Sequence, residues 1–343
     1  MMKNLRDFTY EELLSEVATL GEKPYRAEQI MRWVFSRRVA DINAMTDISK
    51  AFRERLAVDY CVKGNTLLDV SRSEDGTRKF LSELEDSARI ESVLIPETDR
   101  LTLCVSSQAG CALGCRFCMT GMTGFVRNLT LAELAGQVFS AYEILDEGEA
   151  ITNIVLMGMG EPLANYDNVV RFIGVLTGNL GFNFSHNKVT LSTAGLVPAI
   201  VRLGQEETSV NLAVSLNATT DETRDRLMPI NRKYPIKELI AALRTYPLKS
   251  RKYITIEYVL IAGVNDSDED ARRLARLLRG IPCKVNLIPF NPFPGSEFKR
   301  PSEESVNAFH SIVKRSGYMV IVRSSKGAEI QAACGQLKGA YPG

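Results

Sequence analysis

The stretch Leu101-Thr-Leu-Cys-Val-Ser-Ser-Gln-Ala-Gly-Cys-Ala-Leu-Gly-Cys-Arg-Phe-Cys118 joins a β-forming run to three cysteines. Residues 101–106 read as a strand. Cys111, Cys115 and Cys118 follow with the spacing Cys-x3-Cys-x2-Cys. Gly110 and Gly114 allow tight turns of the backbone around a bulky group. Three close thiolates can hold three irons of a [4Fe-4S] cluster, whose usual complement is four cysteines. No fourth cysteine lies nearby, so one iron keeps an open position, the mark of a catalytic metal site. Two blander readings exist. A zinc knuckle needs a histidine, and the two present, His186 and His310, lie far along the chain. A disulfide with a spare thiol sits poorly with an odd total of seven cysteines.

Outward from this stretch the chain alternates strands and helices. Further strands are expected at 152–157, 188–193, 210–216, 253–261 and 283–289. Helices are expected at 131–145, 167–178, 196–204, 221–227 with 236–245, and 268–279. A capping box, Thr130-x-x-Glu133, marks the first helix start. Six β-α units imply a parallel sheet with right-handed crossovers. They are too few for a closed eight-stranded barrel, so the expected fold is α/β, an open partial (β/α)6 barrel. A helix at 303–315 and a strand at 318–323 extend it.

Upstream, residues 64–98 read as strands. Asp75-Gly76 is a hairpin turn signal, and Ile90-Glu-Ser-Val-Leu-Ile-Pro96 is rich in β-formers. Residues 1–60 read as helical, with Pro24 near a helix start and Ala27, Ile30, Trp33 and Val34 on one apolar face. Lys23, Arg26, Arg32, Arg37 and Arg38 surround that face. They suit a solvated helix surface and an RNA-contacting module equally well. The expected organisation is a helical accessory RNA-binding domain over 1–60, a small β linker over 61–98, and the barrel with a C-terminal extension over 99–343.

Whole-chain properties narrow the classes further. The 343 residues are 45% hydrophobic and 24% charged, ordinary for a globular protein, and the net charge is +1. An RNA partner would therefore have to meet a local basic face. No apolar run approaches the roughly 20 residues that span a bilayer. Residues 1–8 lack the apolar core of a signal peptide. Scattered cysteines without such a signal point to a reducing, cytoplasmic setting.

Function in a barrel of parallel strands collects at the carboxyl ends of the strands. The cysteines obey this rule. The open iron position is suited to S-adenosylmethionine, the ligand expected in radical chemistry. Met157-Gly-Met-Gly-Glu-Pro162 ends the second strand. There Gly158 and Gly160 are expected to admit a ligand to the backbone, and Glu161 to bind the ammonium of a methionine moiety. Ser192, the run Ser215-Leu216-Asn217, and Asn291 end later strands and offer small polar groups. Each alone is an ordinary cap or turn, but together they line one rim. The candidate contacts to S-adenosylmethionine are thus Gly160, Glu161, Ser192, Ser215, Leu216, Asn217 and Asn291. Cys61 and Cys283 read as packing residues. Cys104 and Cys334 remain open between packing and reactivity.

These stretches, with Pro24-Tyr-Arg-Ala-Glu-Gln-Ile30, Asn286-Leu-Ile-Pro-Phe-Asn-Pro-Phe-Pro-Gly295 and Ala332-Ala-Cys-Gly-Gln-Leu337, resemble one family along essentially the whole chain. It is that of the radical S-adenosylmethionine RNA methyltransferases that act on adenine. The resemblance implies methylation of C2 of an adenine in 23S rRNA, and of adenine in tRNA. It implies two molecules of S-adenosylmethionine per turnover, a [4Fe-4S] cluster, and an external electron donor of reductase or flavodoxin type. One S-adenosylmethionine would methylate Cys334. A second would yield a 5′-deoxyadenosyl radical that activates that methyl for addition to C2. Glu91 would accept the C2 proton, and Cys104 would release the product, leaving a Cys104–Cys334 disulfide. A structural reading of Glu91, as an exposed strand carboxylate, stands beside this. Physical chemistry explains the detour: C2 is an electron-poor carbon that cannot displace a methyl from a sulfonium, whereas a carbon radical can add there.

The sequence departs from the family pattern in places. Asn217 stands where many relatives carry histidine, Glu329 where aspartate is common, and Ser87 where glycine is frequent. Competing readings are a C8-methylating relative with the same machinery and a non-enzymatic, metal-containing RNA-binding protein. Gly124-Phe-Val-Arg-Asn128 and Asn291-Pro-Phe-Pro-Gly295 fit the C2 branch better.

Overall fold

In the computed structural model, which describes residues 2–206 and 210–339, the amino-terminal segment folds as β1 (Lys3–Asn4), α1 (Tyr10–Thr19), α2 (Tyr25–Met31), α3 (Lys50–Asp59) and β2 (Tyr60–Cys61). Thr9 and Glu12 form a capping box at the start of α1. Pro24 immediately precedes α2. Residues Arg32–Ser36 continue α2 as a π-helical turn. Ala27, Ile30, Trp33 and Val34 are buried together, as their spacing predicts. β1 and β2 pair in parallel and tie the two ends of the module.

The module shares its core with the rest of the chain. Phe35 stacks on Phe139 at 6.1 Å and meets Phe182 edge-on at 5.6 Å. The buried Arg6 guanidinium lies 3.9 Å from the Phe139 ring.

Next come β3 (Thr66–Arg72), β4 (Arg78–Glu83), β5 (Arg89–Glu97) and β6 (Arg100–Cys104), paired in succession and antiparallel. Asp75-Gly76 makes the turn between β3 and β4, with Gly76 at φ +81°. A short ribbon, β7 (Gln108–Gly110) with β8 (Phe125–Asn128), encloses the cysteine loop and α4 (Met119–Thr123).

The chain then alternates through α5 (Leu131–Glu143), β9 (Asn153–Leu156), α6 (Tyr166–Thr177), β10 (Val189–Thr193), α7 (Val197–Leu203) and β11 (Asn211–Ser215). It continues through α8 (Asp221–Leu227), α9 (Ile236–Thr245), β12 (Ile254–Leu260), α10 (Asp268–Leu277), β13 (Cys283–Pro289), α11 (Glu303–Arg315) and β14 (Met319–Val322). The strands from β6 through β9–β14 are all parallel to their neighbours. The linking strands do not stand apart from them. A single ten-stranded sheet runs β14-β13-β12-β11-β10-β9-β6-β5-β4-β3. The open barrel expected from the six repeats is therefore present, with an antiparallel wing on its first strand. Among the described residues no helix is long and apolar enough to cross a membrane.

One buried clasp sets where β6 ends and the cysteine loop begins. Gln137 of α5 accepts the Ser106 N–H at 2.7 Å and the Ser92 hydroxyl at 2.7 Å, and donates to the Ser106 carbonyl at 2.9 Å. Ser106 in turn donates its hydroxyl to the Glu91 carbonyl and accepts the Met159 N–H. The Gln137 side chain thus joins helix, wing and loop directly. Gln137→Ala strands three buried polar groups, each costing about 1–3 kcal/mol. We expect a loss of about 3 kcal/mol in urea unfolding, with reduced cluster incorporation.

Candidate active site

The carboxyl ends of the parallel strands enclose a cavity of about 170 Å3. Cys111, Cys115 and Cys118 line it. The loop that carries them turns tightly. Gly110 has φ +75°, and a Cβ there would come within 1.9 Å of the Gly124 carbonyl, which accepts the Cys111 N–H at 2.8 Å. Burial pushes the Cys111 thiol up to about 11. Burial and then the other two thiols raise Cys115, and burial raises Cys118. Three crowded thiols of this kind ionise readily only beside a compensating cation. Three thiols lining one cavity are the donor set that would hold three irons of an iron–sulfur cube, with one iron left without a protein ligand.

The opposite wall comes from the other strand ends. Gly160, Glu161, Ser192, Ser215, Asn217 and Asn291 all line the cavity. Leu216 does not. Its side chain is buried, and its N–H donates to the Glu257 carbonyl at 3.0 Å. The glycines also have a reason within the fold. A Cβ on Gly160 would meet Gln108 at 2.5 Å, and one on Gly158 would meet Ser106 Oγ at 2.7 Å. Close packing against the segment after β6 excludes a side chain before any ligand arrives. The buried Glu161 carboxylate accepts the Ala194 N–H at 2.7 Å and the Leu163 N–H at 3.0 Å. Burial nevertheless raises its pKa to about 7.

Asn217 adopts φ +58°, a conformation asparagine tolerates better than most residues. Its Oδ1 accepts the Val259 N–H at 2.8 Å, so its side chain braces the neighbouring strand. Ser87, where glycine is frequent, is likewise at φ +64°.

The C-terminal segment crosses the mouth of the barrel and brings Cys334 to the same cavity. Asn291 donates to the Cys334 carbonyl at 3.2 Å, and Gln336 donates to the Pro292 carbonyl at 2.8 Å. On the cysteine-loop side, the Met119 N–H donates to the Gly335 carbonyl at 2.7 Å and Thr120 Oγ1 to the Leu337 carbonyl at 2.6 Å. Cys334 itself is exposed, whereas Cys104 is buried. Burial and then the Cys334 thiol raise the Cys104 thiol, an influence that only proximity gives.

Glu91 is not the exposed strand carboxylate that its bland reading supposes. It is 1% exposed. Its Oε1 pairs with Lys79 Nζ at 3.0 Å. Its Oε2 accepts the N–H groups of Lys338 at 2.7 Å and Gly339 at 3.0 Å. Strand register puts Lys79 opposite Val93 and Leu81 opposite Glu91, so Lys79 and Glu91 are diagonal neighbours on one face.

Three further residues escaped the sequence reading. Lys79 is one. Glu257, a lone acid in the apolar strand β12, lines the cavity, and Asn286 donates to it at 2.9 Å. Burial raises its pKa. Arg224, fully buried, ties the rim by donating to the Ala194, Leu216 and Ser215 carbonyls at 2.7, 3.0 and 3.3 Å. A charge inside an otherwise apolar strand was the available signal for Glu257. For the other two, partners distant in sequence decide the role.

An open barrel with three cysteines after its first strand and a Gly-Glu turn after its second defines the radical S-adenosylmethionine enzymes, and the superfamily's profile matches residues 105–275. The profile of the ribosomal RNA large subunit methyltransferase N-terminal domain matches residues 3–62. The chain is 56% identical to the dual-specificity RNA methyltransferase RlmN of Desulfosudis oleivorans, over 92% of this chain and 85% of that one. It is 52% identical to the RlmN of Geotalea uraniireducens, over 98% and 96%. A crystal structure of a radical SAM methyltransferase from Sphaerobacter thermophilus superposes with a TM-score of 0.92 at 47% identity, covering 98% of this chain and all of that one. The chain belongs to the RlmN family of radical SAM RNA methyltransferases.

The buried Lys79–Glu91 pair yields a test that depends on geometry alone. Removing one member of a buried ion pair costs about 3–5 kcal/mol, because the other charge is left uncompensated. Lys79→Met is expected to lose stability of that order in urea unfolding. The double variant Lys79→Met/Glu91→Gln is expected to recover most of the loss.

Proposed function

We propose that this protein methylates C2 of an adenine in 23S rRNA and in tRNA, with Cys334 carrying the methyl carbon. The observation that supports this most directly is the meeting of Cys334 with the three cluster cysteines in one cavity. The relatives named above are dual-specificity RNA methyltransferases, which supports both RNA classes as substrates. We assign the reaction to the cytoplasm, with electrons from a donor of reductase or flavodoxin type.

Cys111, Cys115 and Cys118 would hold the cluster, leaving one iron for S-adenosylmethionine. Glu161 would bind the ammonium of that ligand, and Gly160, Ser192, Ser215 and Asn217 would shape the remaining wall. Asn291 would act mainly through Cys334, whose carbonyl it holds. Cluster and S-adenosylmethionine together supply a methyl group and a hydrogen-abstracting radical, and two molecules of S-adenosylmethionine are used per turnover.

The protein's own groups do the rest. Cys334, exposed on a strap anchored at both sides, is accessible for methylation and then for addition of its carbon to adenine. Glu91 would take the C2 proton. In this structure both its oxygens are engaged. The strap at Lys338 and Gly339 must therefore release Oε2 when the base enters, while Lys79 keeps hold of Oε1. Cys104, as thiolate, would attack the Cys334 sulfur. The bond from that sulfur to the transferred carbon would break with its electron pair left on the carbon, which takes a proton to become the methyl group, and a Cys104–Cys334 disulfide would remain.

Two expected outcomes test these roles. Cys334→Ala should abolish RNA methylation, whereas Cys104→Ala should accumulate a protein–RNA crosslink, both read on denaturing gels after anaerobic turnover. Normal turnover by either variant contradicts its role.

A third outcome concerns pH. Glu161 has a folded-state pKa above the ordinary carboxylate value. Its protonated form therefore stabilises the ligand-free protein at low pH, and that contribution is lost as pH rises through about 7. An ammonium ligand needs the ionised form. S-adenosylmethionine affinity, measured calorimetrically, should tighten by up to about tenfold per pH unit below 7 and level off above it. Glu161→Gln should flatten the profile.

A further inference from the structure

The ribbon of β7 and β8 takes no part in the chemistry above, yet it hangs directly from the cysteine loop. Phe125 and Val126 on it are 47% and 66% exposed, and Met122 of the adjoining α4 is 59% exposed. Large apolar side chains are rarely left together in water without a partner.

The ribbon that carries them is held on every side. Gly124 is fixed to Cys111 by the hydrogen bond and close approach described above. Gln108 donates to Asn128 at 2.8 Å. The Arg127 guanidinium makes paired bonds to Asp86 at 2.7 and 2.8 Å and to Glu133 at 2.8 and 2.7 Å. Phe125 and Val126 are thus presented outward from a rigid mount.

The position is informative. Gly121, beside Met122 on α4, lines the cavity. Asp86, which anchors the other end, lies in the turn that leads into β5 and Glu91. The patch thus follows a cavity-lining residue directly in sequence, and the turn that anchors it leads to Glu91.

We propose that Phe125, with Met122 and Val126, is a wedge on which the RNA base next to the target adenine stacks once the adenine has been turned out into the cavity. The inference rests on the RNA-methylating reading given under Proposed function. The C2 atom of a stacked adenine is out of reach of a buried cavity, so the nucleotide has to leave its stack. An apolar, aromatic face restores the stacking lost by the base left behind. Such a face carries no hydrogen-bond code and accepts any base, as an enzyme acting on two unrelated RNAs requires. Arg127 is already neutralised by two carboxylates, so this rim offers a stacking surface and not a phosphate clamp.

The test uses reconstituted full-length enzyme, Phe125→Ala and Phe125→Trp, with an RNA hairpin carrying 2-aminopurine beside the target adenine. Base–aromatic stacking is worth about 1–3 kcal/mol. Phe125→Ala should accordingly raise the KM for RNA roughly five- to hundredfold and lose the 2-aminopurine quenching seen with the wild type. Phe125→Trp should retain both. Iron content, and methylation of Cys334 without RNA, should be unchanged in both variants. Unchanged KM and quenching in Phe125→Ala overturn the wedge. So does a matching loss of iron or of Cys334 methylation, which would mark a structural role. A defect confined to reduction by a flavodoxin-type donor would assign the patch to that donor instead. A wild type that methylates neither RNA overturns the functional reading and the wedge with it, whereas normal wild-type activity with an unaltered Phe125→Ala overturns the wedge alone.

Discussion

The active site depends on a strap of backbone held across the mouth of an open barrel. Its residues lie at the far end of the chain from the cysteine loop, and a row of hydrogen bonds joins the two. Met119 and Thr120 hold Gly335 and Leu337 on one side, and Asn291 and Gln336 fix the strap to the loop after β13 on the other. Glu91 closes the row on the Lys338 and Gly339 amides. Each bond is modest by itself, about 1 kcal/mol net. Together they bring Cys334 to the cavity that the three cysteines line. A strap made of backbone contacts can also be released stepwise, which a helix or strand across the mouth would resist.

Burial sets the electrostatics around that strap. The cluster thiols, Cys104, Glu161 and Glu257 are all pushed toward their neutral forms by loss of water. Arg224 is a buried cation at the rim, and burial lowers it to about 10. Lys79 is paired with Glu91 at 3.0 Å. The ligand-free cavity is thus short of positive charge, and a cluster and a sulfonium ligand are groups that would relieve it.

Much of this was legible in the sequence because it is local. The strand candidates fell within a residue or two of the observed β6 and β9–β13, since short apolar runs between amphipathic helices encode a parallel sheet. The cysteine triad and the Met157–Pro162 turn were legible because ligands at strand ends are contiguous in sequence. What was not legible depends on register and closure. Lys79 reaches Glu91 only through the diagonal pairing of β4 with β5. The wing read as a separate linker because nothing in 64–98 announces that β5 pairs with β6. The close packing of Gly158 on Ser106 and of Gly160 on Gln108 was not legible, because it depends on how the segment after β6 lies against the second strand end. Leu216 was included with its neighbours by adjacency, and alternation along the strand end turns it into the core. The Glu91 carboxylate was ambiguous for the same reason: only the returning C-terminus buries it.

The central claim is that Cys334, delivered by the strap, is the group that first receives the methyl. Anaerobic incubation of the reconstituted protein with S-adenosylmethionine carrying an isotopically heavy methyl, followed by peptide mass spectrometry, tests it directly. The account predicts one heavy methyl-derived group on the peptide containing Cys334 and none on Cys61, Cys104 or Cys283. Heavy methyl reaching RNA adenine with no label ever found on Cys334 would contradict it.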